Sequence, residues 1–228
     1  MNISILIPSY GEPVWEEMAE TRALPSAMAQ NAHEVLIEHD PDGTIASVRN
    51  GLAEKATGDA LVFLDADDEL GPGYIAAMQR AYGQGRREDG TPPLLTPAVS
   101  YVVKGRRQMA RFLPGSDLSK NNYLVVGTLV ERNLFLSVGG FSDYPHGFED
   151  WSLWAKCWKA GAKIIQVRRA VYIAYIDPNS KHRKAWRDHR WQVEMHNKVA
   201  AELFPEGVPE PPVSPTVRTR STGRMRRV

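Results

Sequence analysis

Short apolar runs alternate with amphipathic segments along this chain. Strand-length apolar runs occupy residues 3–7, 35–38 and 60–64, and helical patterns follow the first two of them. Strand, loop, helix and strand in this order is how a parallel sheet begins. An unbroken apolar run such as residues 61–64 indicates a strand that is buried on both faces. Pro8 is predicted to break the first strand.

The remaining pattern extends this arrangement. The stretch 106–122 has no clear hydrophobic period and is predicted to be a mobile loop beside the ligand-binding site that the following residues indicate. Further strands are predicted at residues 94–104, 163–167 and 171–175, and helices at residues 44–56, 72–82, 132–138 and 185–204, with others beginning near Val14 and at Glu149.

Carboxylates follow the apolar runs where two strands end. Asp65, Asp67 and Asp68 come directly after the third run, and Asp40 follows the second. Open α/β sheets bind ligands at the carboxyl ends of their strands. Three adjacent acids repel one another unless a cation or hydrogen-bond donors lie nearby, and such oxygen ligands suit Mg²⁺ or Mn²⁺. The alternative is a solvated acidic turn that caps the helix beginning near Pro72.

A second acidic pair, Glu149 and Asp150, opens a later helix. Acids in a first helical turn are favoured by the helix dipole alone, so the pair is not by itself a site. Trp151, Trp154 and Trp158 follow at positions that share one helical face, which predicts core packing. Trp151 is expected to be the exception, because its place at the mouth of the helix would let it stack on a sugar ring.

Composition adds the class of protein. The chain has 228 residues, of which 43% are hydrophobic and 24% charged, and a net charge of +1. This is ordinary for a globular protein. The single cysteine, Cys157, is predicted to be a core residue in a reducing compartment. No apolar stretch reaches the length of about 18 residues needed to span a membrane, and no signal peptide is evident, so we expect a soluble cytoplasmic protein.

The last residues differ from the rest. Residues 1–204 are predicted to form one domain, and residues 205–228 a flexible tail that is first proline-rich and then carries five arginines. Two interpretations of the tail stay open. Its arginines contact an anionic acceptor such as nucleic acid or a membrane surface, or they serve only as a solvated tail.

The ordered set of motifs resembles the family 2 glycosyltransferases of GT-A fold. The resemblance rests on ILIPSYG at the start, on Asp40, on RNGLAEKATGDALVFLDADDEL, and on VGGF followed by FEDWSLW, and it covers roughly residues 3–183. It implies a single-domain α/β fold in which a Rossmann-like, mixed sheet that binds a nucleotide sugar is flanked by helices. It also implies inverting transfer from a nucleoside-diphosphate sugar, commonly a UDP-sugar, with Mn²⁺ or Mg²⁺.

The resemblance also assigns roles to residues. Asp65 and Asp67 form the D-x-D motif and, with His182, are the implied metal ligands, while Asp68 either supports them or caps a helix. Arg49 lies against the nucleotide pocket or the diphosphate, or forms a surface ion pair. The implied contacts to the donor are Pro8, Ser9, Tyr10, Glu12, Asp40, Arg49, Asp65, Ala66, Lys181 and Arg183.

The catalytic roles fall on the second acidic pair. By the family's pattern Asp150 is the general base and Glu149 orients the acceptor or supports the base, and Trp151 contacts the acceptor. Spacing alone does not choose between the two acids. One departure is that Tyr175 stands where many relatives have a histidine, and His182 is the candidate replacement. The Q-x-x-R-W motif of processive members is absent, which favours a single addition.

Two other functions stay open at this point. One is a nucleotidyltransferase with a similar core, although the first loop offers only Gly11 where that class has a glycine-rich loop. The other is a module that binds nucleotide sugars without turnover. The donor sugar, the oligomeric state and the acceptor, whether a glycan, a protein or a modified DNA reached by the basic tail, do not follow from the sequence.

Overall fold

The structure is a computed structural model that describes residues 1–85, 90–115, 117–144, 147–176 and 189–205. Within these residues the strands form two four-stranded sheets, in the orders β2-β1-β3-β7 and β4-β8-β5-β6. The strands are β1 Ile3–Tyr10, β2 Glu34–Asp40, β3 Ala60–Phe63, β4 Glu69–Leu70, β5 Pro93–Val103, β6 Arg106–Arg107, β7 Val130–Glu131 and β8 Lys163–Ile176.

Helices pack against these sheets and complete the mixed α/β architecture predicted from the sequence. A π-helical turn, Ala19–Ala23, joins the first two of them. The helices are α1 Pro13–Met18, α2 Leu24–Met28, α3 Ile45–Lys55, α4 Tyr74–Gly85, α5 Arg132–Ser137, α6 Glu149–Lys159 and α7 His189–Leu203. Among the helices of the described ranges, none combines the length and apolar character that crossing a bilayer requires.

The first sheet has the predicted parallel centre. β1 pairs in parallel with both β2 and β3, and β7 adds an antiparallel edge. The predicted break at Pro8 is wrong, since β1 continues to Tyr10. Pairing with β3 ends at Leu6, so Pro8 lies where β1 has a ladder with β2 only, and a missing N–H is tolerated at such a position.

The second sheet corrects the prediction of two strands near the end of the domain. β8 is a single strand that runs parallel to β5, but Val167 pairs with Pro97 and Val171 with Ala98. Three residues of β8, Arg168 to Ala170, therefore have no counterpart on β5 and form a bulge. The bulge interrupts the apolar alternation, which is why the sequence pattern divided the strand.

The two sheets share one hydrophobic core. Leu95 of β5 and Leu129, just before β7, exchange backbone hydrogen bonds of 3.1 and 2.9 Å, which joins the sheets at one edge. Phe63, Phe135 and Phe141 pack together in this core with ring centroids 4.9–5.6 Å apart. The rigid core fixes the ends of β1, β2 and β3, where the predicted site residues lie.

Candidate active site

The carboxyl ends of the central strands meet at one edge of the first sheet. Tyr10 at the end of β1 pairs with Asp40 at the end of β2, and the amide of Gly11 donates to the carbonyl of Asp40 over 3.2 Å. β3 ends alongside β1, where the amide of Leu64 donates to the carbonyl of Leu6 over 2.9 Å. The acidic turn that begins at Asp65 therefore leaves the sheet at the same edge as the first loop.

Arg49 joins the two acidic clusters. Helix α3 begins with a capping box, in which Thr44 and Ser47 bond each other's backbone amides, and it carries Arg49 into the interior, where 3% of the residue is exposed. Its Nη2 lies 2.6 Å from Asp65 Oδ1, and its Nη1 lies 2.9 Å from Glu149 Oε1. One guanidinium thus holds acids that lie 84 residues apart in the chain.

Electrostatics explains why a buried arginine is stable here. Burial alone lowers the pKa of Arg49, but the carboxylates of Asp65, Glu149 and Asp150 raise it above its usual value. The ring of Phe141 lies 4.9 Å from the guanidinium carbon and covers it. Arg49 is therefore a charged connector inside the molecule, and the interpretation of it as a surface ion pair is wrong.

Asp150 lies beside this connector and is partly buried. Its Oδ2 accepts from Asn122 Nδ2 over 2.8 Å, and its Oδ1 accepts from the amide of Trp151 over 2.7 Å. Burial and the neighbouring charge of Glu149 raise the pKa of Asp150 to about 7, although Arg49 opposes the shift. A carboxyl that titrates near neutrality is suited to accept a proton at physiological pH.

The chain enters α6 with an unusual backbone. Phe148 is the residue before the helix and has a φ of +74°, in the left-handed region that a bulky side chain seldom adopts. The amide of Ser152 donates to its carbonyl over 2.9 Å, which begins the helix. This turn sets the direction from which Glu149 and Asp150 approach Arg49.

Asp68 is the buried member of the acidic turn and joins the turn to β8. It is 8% exposed, and its Oδ1 accepts from the amide of Tyr175 on β8 over 2.8 Å. Burial, and then the charges of Asp67 and Asp65, raise the pKa of Asp68 well above its usual value. The helix-cap alternative for Asp68 is wrong, because α4 begins only at Tyr74 and the carboxylate bonds a strand instead.

Arg22 contacts the acidic turn from the π-helical segment, although no sequence pattern indicated this role. Its Nη1 donates to the carbonyl of Asp67 over 2.8 Å, and its guanidinium carbon lies 4.2 Å from the centre of the Tyr175 ring. Tyr175, in turn, donates from its hydroxyl to Glu69 Oε1 over 3.0 Å. Tyr175, which the resemblance places where many relatives have a histidine, thus packs against an arginine 153 positions away in sequence, a contact that no local pattern encodes.

The residues predicted to contact the nucleoside differ in how deeply they are buried. Ser9 is buried, and its Oγ lies 3.0 Å from Nδ1 of His39, a residue that the sequence reasoning did not single out. Tyr10 is 44% exposed at the rim. Glu12 is exposed and Pro8 is buried, while Ala66 is buried within the acidic turn.

The prediction that Trp151 is exposed beside the acids is wrong. Trp151 is 1% exposed, its Nε1 donates to the carbonyl of Leu118 over 2.7 Å, and its ring stacks on His196 of α7 with centroids 4.8 Å apart. The loop before Asn122 and helix α7 both cover it. Such burial leaves no ring face for a sugar, so Trp151 belongs to the core with Trp154.

Two carboxylates of the acidic turn fit a divalent cation. Arg49 engages Oδ1 of Asp65, a third of that side chain stays exposed, and Asp67 is partly exposed. Carboxylate oxygens are the donors that Mg²⁺ and Mn²⁺ prefer. Across the described ranges, no three His, Cys, Asp or Glu side chains gather as a metal site, so the remaining ligands would come from a bound diphosphate or from elsewhere in the chain. Lys181, His182 and Arg183 lie outside the described residues.

Asn122→Leu tests the environment of Asp150. The donor from Asn122 favours the ionised carboxylate, so its loss should raise the pKa of Asp150 above about 7. The ¹³C resonances of the aspartate carboxyl carbons, followed by NMR against pH, report this value. Asn121→Leu is the matched control, because Asn121 is exposed. An unchanged or lower pKa in Asn122→Leu would show that the hydrogen bond does not act on Asp150.

The chain resembles known proteins in part of its sequence and in its fold. Residues 17–93 match the family model described as glycosyl transferase family 2. No curated protein matches the chain by sequence comparison. TarS of S. aureus has a TM-score of 0.56 at 15% identity over 90% of this chain and 43% of its own, so this chain spans less than half of that protein.

Two similar solved structures contain ligands. TarS 1–349 in complex with UDP-GlcNAc has a TM-score of 0.59 at 14% identity, over 90% of this chain and 72% of its own. GalNAc-T7 with UDP, GalNAc and Mn²⁺ has a TM-score of 0.51 at 16% identity, over 77% of this chain and 44% of its own. At these identities the likeness shows the fold. Residues 17–93 thus match the family 2 model, and the chain has the fold of these GT-A glycosyltransferases, as the sequence motifs predict.

Proposed function

We propose that this protein transfers one sugar, with inversion, from a nucleoside-diphosphate sugar to an acceptor hydroxyl, with Asp150 as the general base. The observation that carries the proposal is the contact of Arg49 with both Asp65 and Glu149. It brings the D-x-D turn and the acid pair of α6 to one place. The complexes of TarS 1–349 with UDP-GlcNAc and of GalNAc-T7 with UDP support UDP as the nucleotide.

The structure supports a distinct role for each of the two adjacent acids. Glu149 is ion-paired to Arg49 at 2.9 Å, so one of its carboxylate oxygens is engaged by the guanidinium. Asp150 has a pKa of about 7. As the acceptor oxygen attacks the anomeric carbon, its proton passes to a carboxylate oxygen of Asp150, and the bond to the diphosphate breaks with its electron pair on the departing oxygen.

Asp65 and Asp67 would hold a divalent cation on the donor side. Such a cation, when bound, neutralises negative charge on the leaving diphosphate. The backbone around Asp67 is held independently of it, because Arg22 bonds the Asp67 carbonyl and Asp68 bonds β8. His182 remains a proposed third ligand, and Lys181 and Arg183 remain proposed diphosphate contacts.

A thermal-shift screen tests the donor site. UDP-, GDP- and dTDP-sugars are added with and without Mn²⁺, and a ligand that binds the native state raises the apparent Tm. We expect UDP-sugars with Mn²⁺ to give the largest rise, and Asp67→Asn to abolish the part that depends on Mn²⁺.

Asp59→Asn is the matched control for this screen, because Asp59 precedes β3 at the opposite end of the strand and accepts from the amide of Asn2. Its Mn²⁺-dependent rise should equal that of the wild type. A full response in Asp67→Asn would show that the acids of this turn do not bind the cation.

A further inference from the structure

A basic groove lies between α4 and the bulge of β8, away from the acidic site. It has a volume of about 540 Å³, and its apolar lining residues are Ala77 and Ala81 of α4 and Ile165 and Val167 of β8. Three arginines line it, Arg80 from α4 and Arg168 and Arg169 from β8, together with Gln84 and Gln166. None of the lining residues is acidic.

The bulge is what presents two of these arginines. Arg168 and Arg169 are two of the three residues that have no partner on β5, and both are exposed. A bulge re-aims side chains that a regular ladder would place on alternate faces. Arg168 also lies over Phe112, with 5.3 Å from its guanidinium carbon to the ring centre, which limits the directions available to it.

Among the described residues, no ion pair neutralises the positive charge of the groove. Within the described parts of the chain, the ion pairs involve Arg49, Lys55 and Lys120, and none involves Arg80, Arg168 or Arg169. Holding three like charges along one groove is unfavourable without a counter-charge. Arginine is also the side chain whose donors best match phosphate oxygens.

We propose that this groove binds the phosphodiester backbone of a single strand of nucleic acid. The arginines supply donors for successive phosphates, while Gln84 and Gln166 offer both donors and acceptors, as the edges of bases require. The proposal is independent of sugar transfer, because binding requires no donor.

Fluorescence anisotropy with a labelled 20-nucleotide single strand tests the proposal on the full chain. Three phosphate contacts predict that the logarithm of affinity falls with the logarithm of salt with a slope of about −2, since each contact to single-stranded nucleic acid contributes roughly 0.7. The variant Arg80→Ala/Arg168→Ala/Arg169→Ala should bind at least about tenfold more weakly at 50 mM salt and lose this slope.

The matched control is Lys55→Ala/Lys104→Ala/Lys120→Ala, which removes the same charge from exposed positions that do not line the groove. It should bind within about twofold of the wild type, because only loss of a phosphate contact lowers the slope. Equal weakening by both triple variants would overturn the proposal by assigning binding to net charge or to the arginines of residues 205–228. Absence of binding at 50 mM salt would also overturn it. Displacement of the strand by inorganic polyphosphate at the same phosphate concentration would replace it with a general polyanion site.

Discussion

Asp150→Asn is expected to lower the rate of sugar transfer by roughly 10²–10⁴-fold, the contribution that general base catalysis commonly makes. Asparagine keeps the size of the side chain and its place beside Asn122, but it cannot take the acceptor proton. The readout that needs no knowledge of the acceptor is slow hydrolysis of the UDP-sugar, in which water takes the acceptor's place. The rise in Tm with donor should persist, since Asp150 is not placed on the donor side.

Glu149→Gln is the informative comparison for Asp150→Asn. Because Glu149 is ion-paired to Arg49, its amide variant should disturb the position of Arg49 but leave the proton acceptor intact. We expect a smaller loss of rate than in Asp150→Asn. If Glu149→Gln loses more, the roles of the two acids are reversed. If wild type does not hydrolyse any donor that it binds, the alternative of a binding module without turnover is correct.

The dependence of this rate on pH has a definite sign. The pKa of Asp150 is raised to about 7, so the carboxylate that we propose as the base is lost as pH falls through that value. The wild-type rate should therefore fall about tenfold per pH unit below 7 and level off above it. The residual rate of Asp150→Asn should lack this step.

Arg49→Met is expected to destabilise the fold by about 3–5 kcal/mol, which is the cost of leaving buried charges without their partner. The substitution keeps most of the apolar stem but leaves Asp65 and Glu149, whose side chains are 33% and 13% exposed, without the guanidinium that pairs with both. Urea unfolding, followed by tryptophan fluorescence, measures the loss. The stability of Arg49→Lys should lie between those of the wild type and Arg49→Met, because an ammonium keeps the charge but cannot bond two carboxylates in the way a guanidinium does.

The same helix supplies the control. Lys55 of α3 pairs with Glu38 at 2.6 Å, but 60% of the Lys55 side chain is exposed. Exposed pairs contribute about 0–1 kcal/mol, so Lys55→Met should change stability by no more than that. If Arg49→Met and Lys55→Met cost the same, Arg49 does not hold the acidic clusters together.

Neutralising Asp65 should recover part of the stability that is lost in Arg49→Met. In Arg49→Met/Asp65→Asn the repulsion between the two carboxylates is removed, and the double variant should be more stable than Arg49→Met alone. A double variant that is less stable than either single variant would show that Asp65 stabilises the fold by contacts other than the one with Arg49.

The sequence predicted the strands that carry the site, because those strands are buried on both faces and leave unbroken apolar runs. Ala60–Phe63 and the acids that follow it are an example, since the strand and its polar end are both local features. The start of α6 at Glu149 could also be predicted, because acidic residues are favoured in the first turn of a helix.

Contacts between distant segments could not be predicted in this way. Arg22 resembles an ordinary charge on a helix, and only its place under the acidic turn and over Tyr175 distinguishes it. Asn122 lies in a stretch without any period, yet it donates to Asp150. Trp151 was misjudged for the same reason, because its burial comes from α7 and from the loop near Leu118, neither of which is adjacent in sequence.

A crystal structure of the protein with a UDP-sugar and Mn²⁺ would show whether the acidic turn and the acid pair of α6 form one site. We expect the diphosphate at Asp65 and Asp67 and the anomeric carbon between these residues and Asp150. Asp150 should lie on the face of the sugar opposite the leaving oxygen, with room for one hydroxyl between them. A UDP-sugar bound away from Asp65 and Asp67, or one whose leaving oxygen and Asp150 lie on the same face of the sugar, would show that the two acidic clusters do not act together.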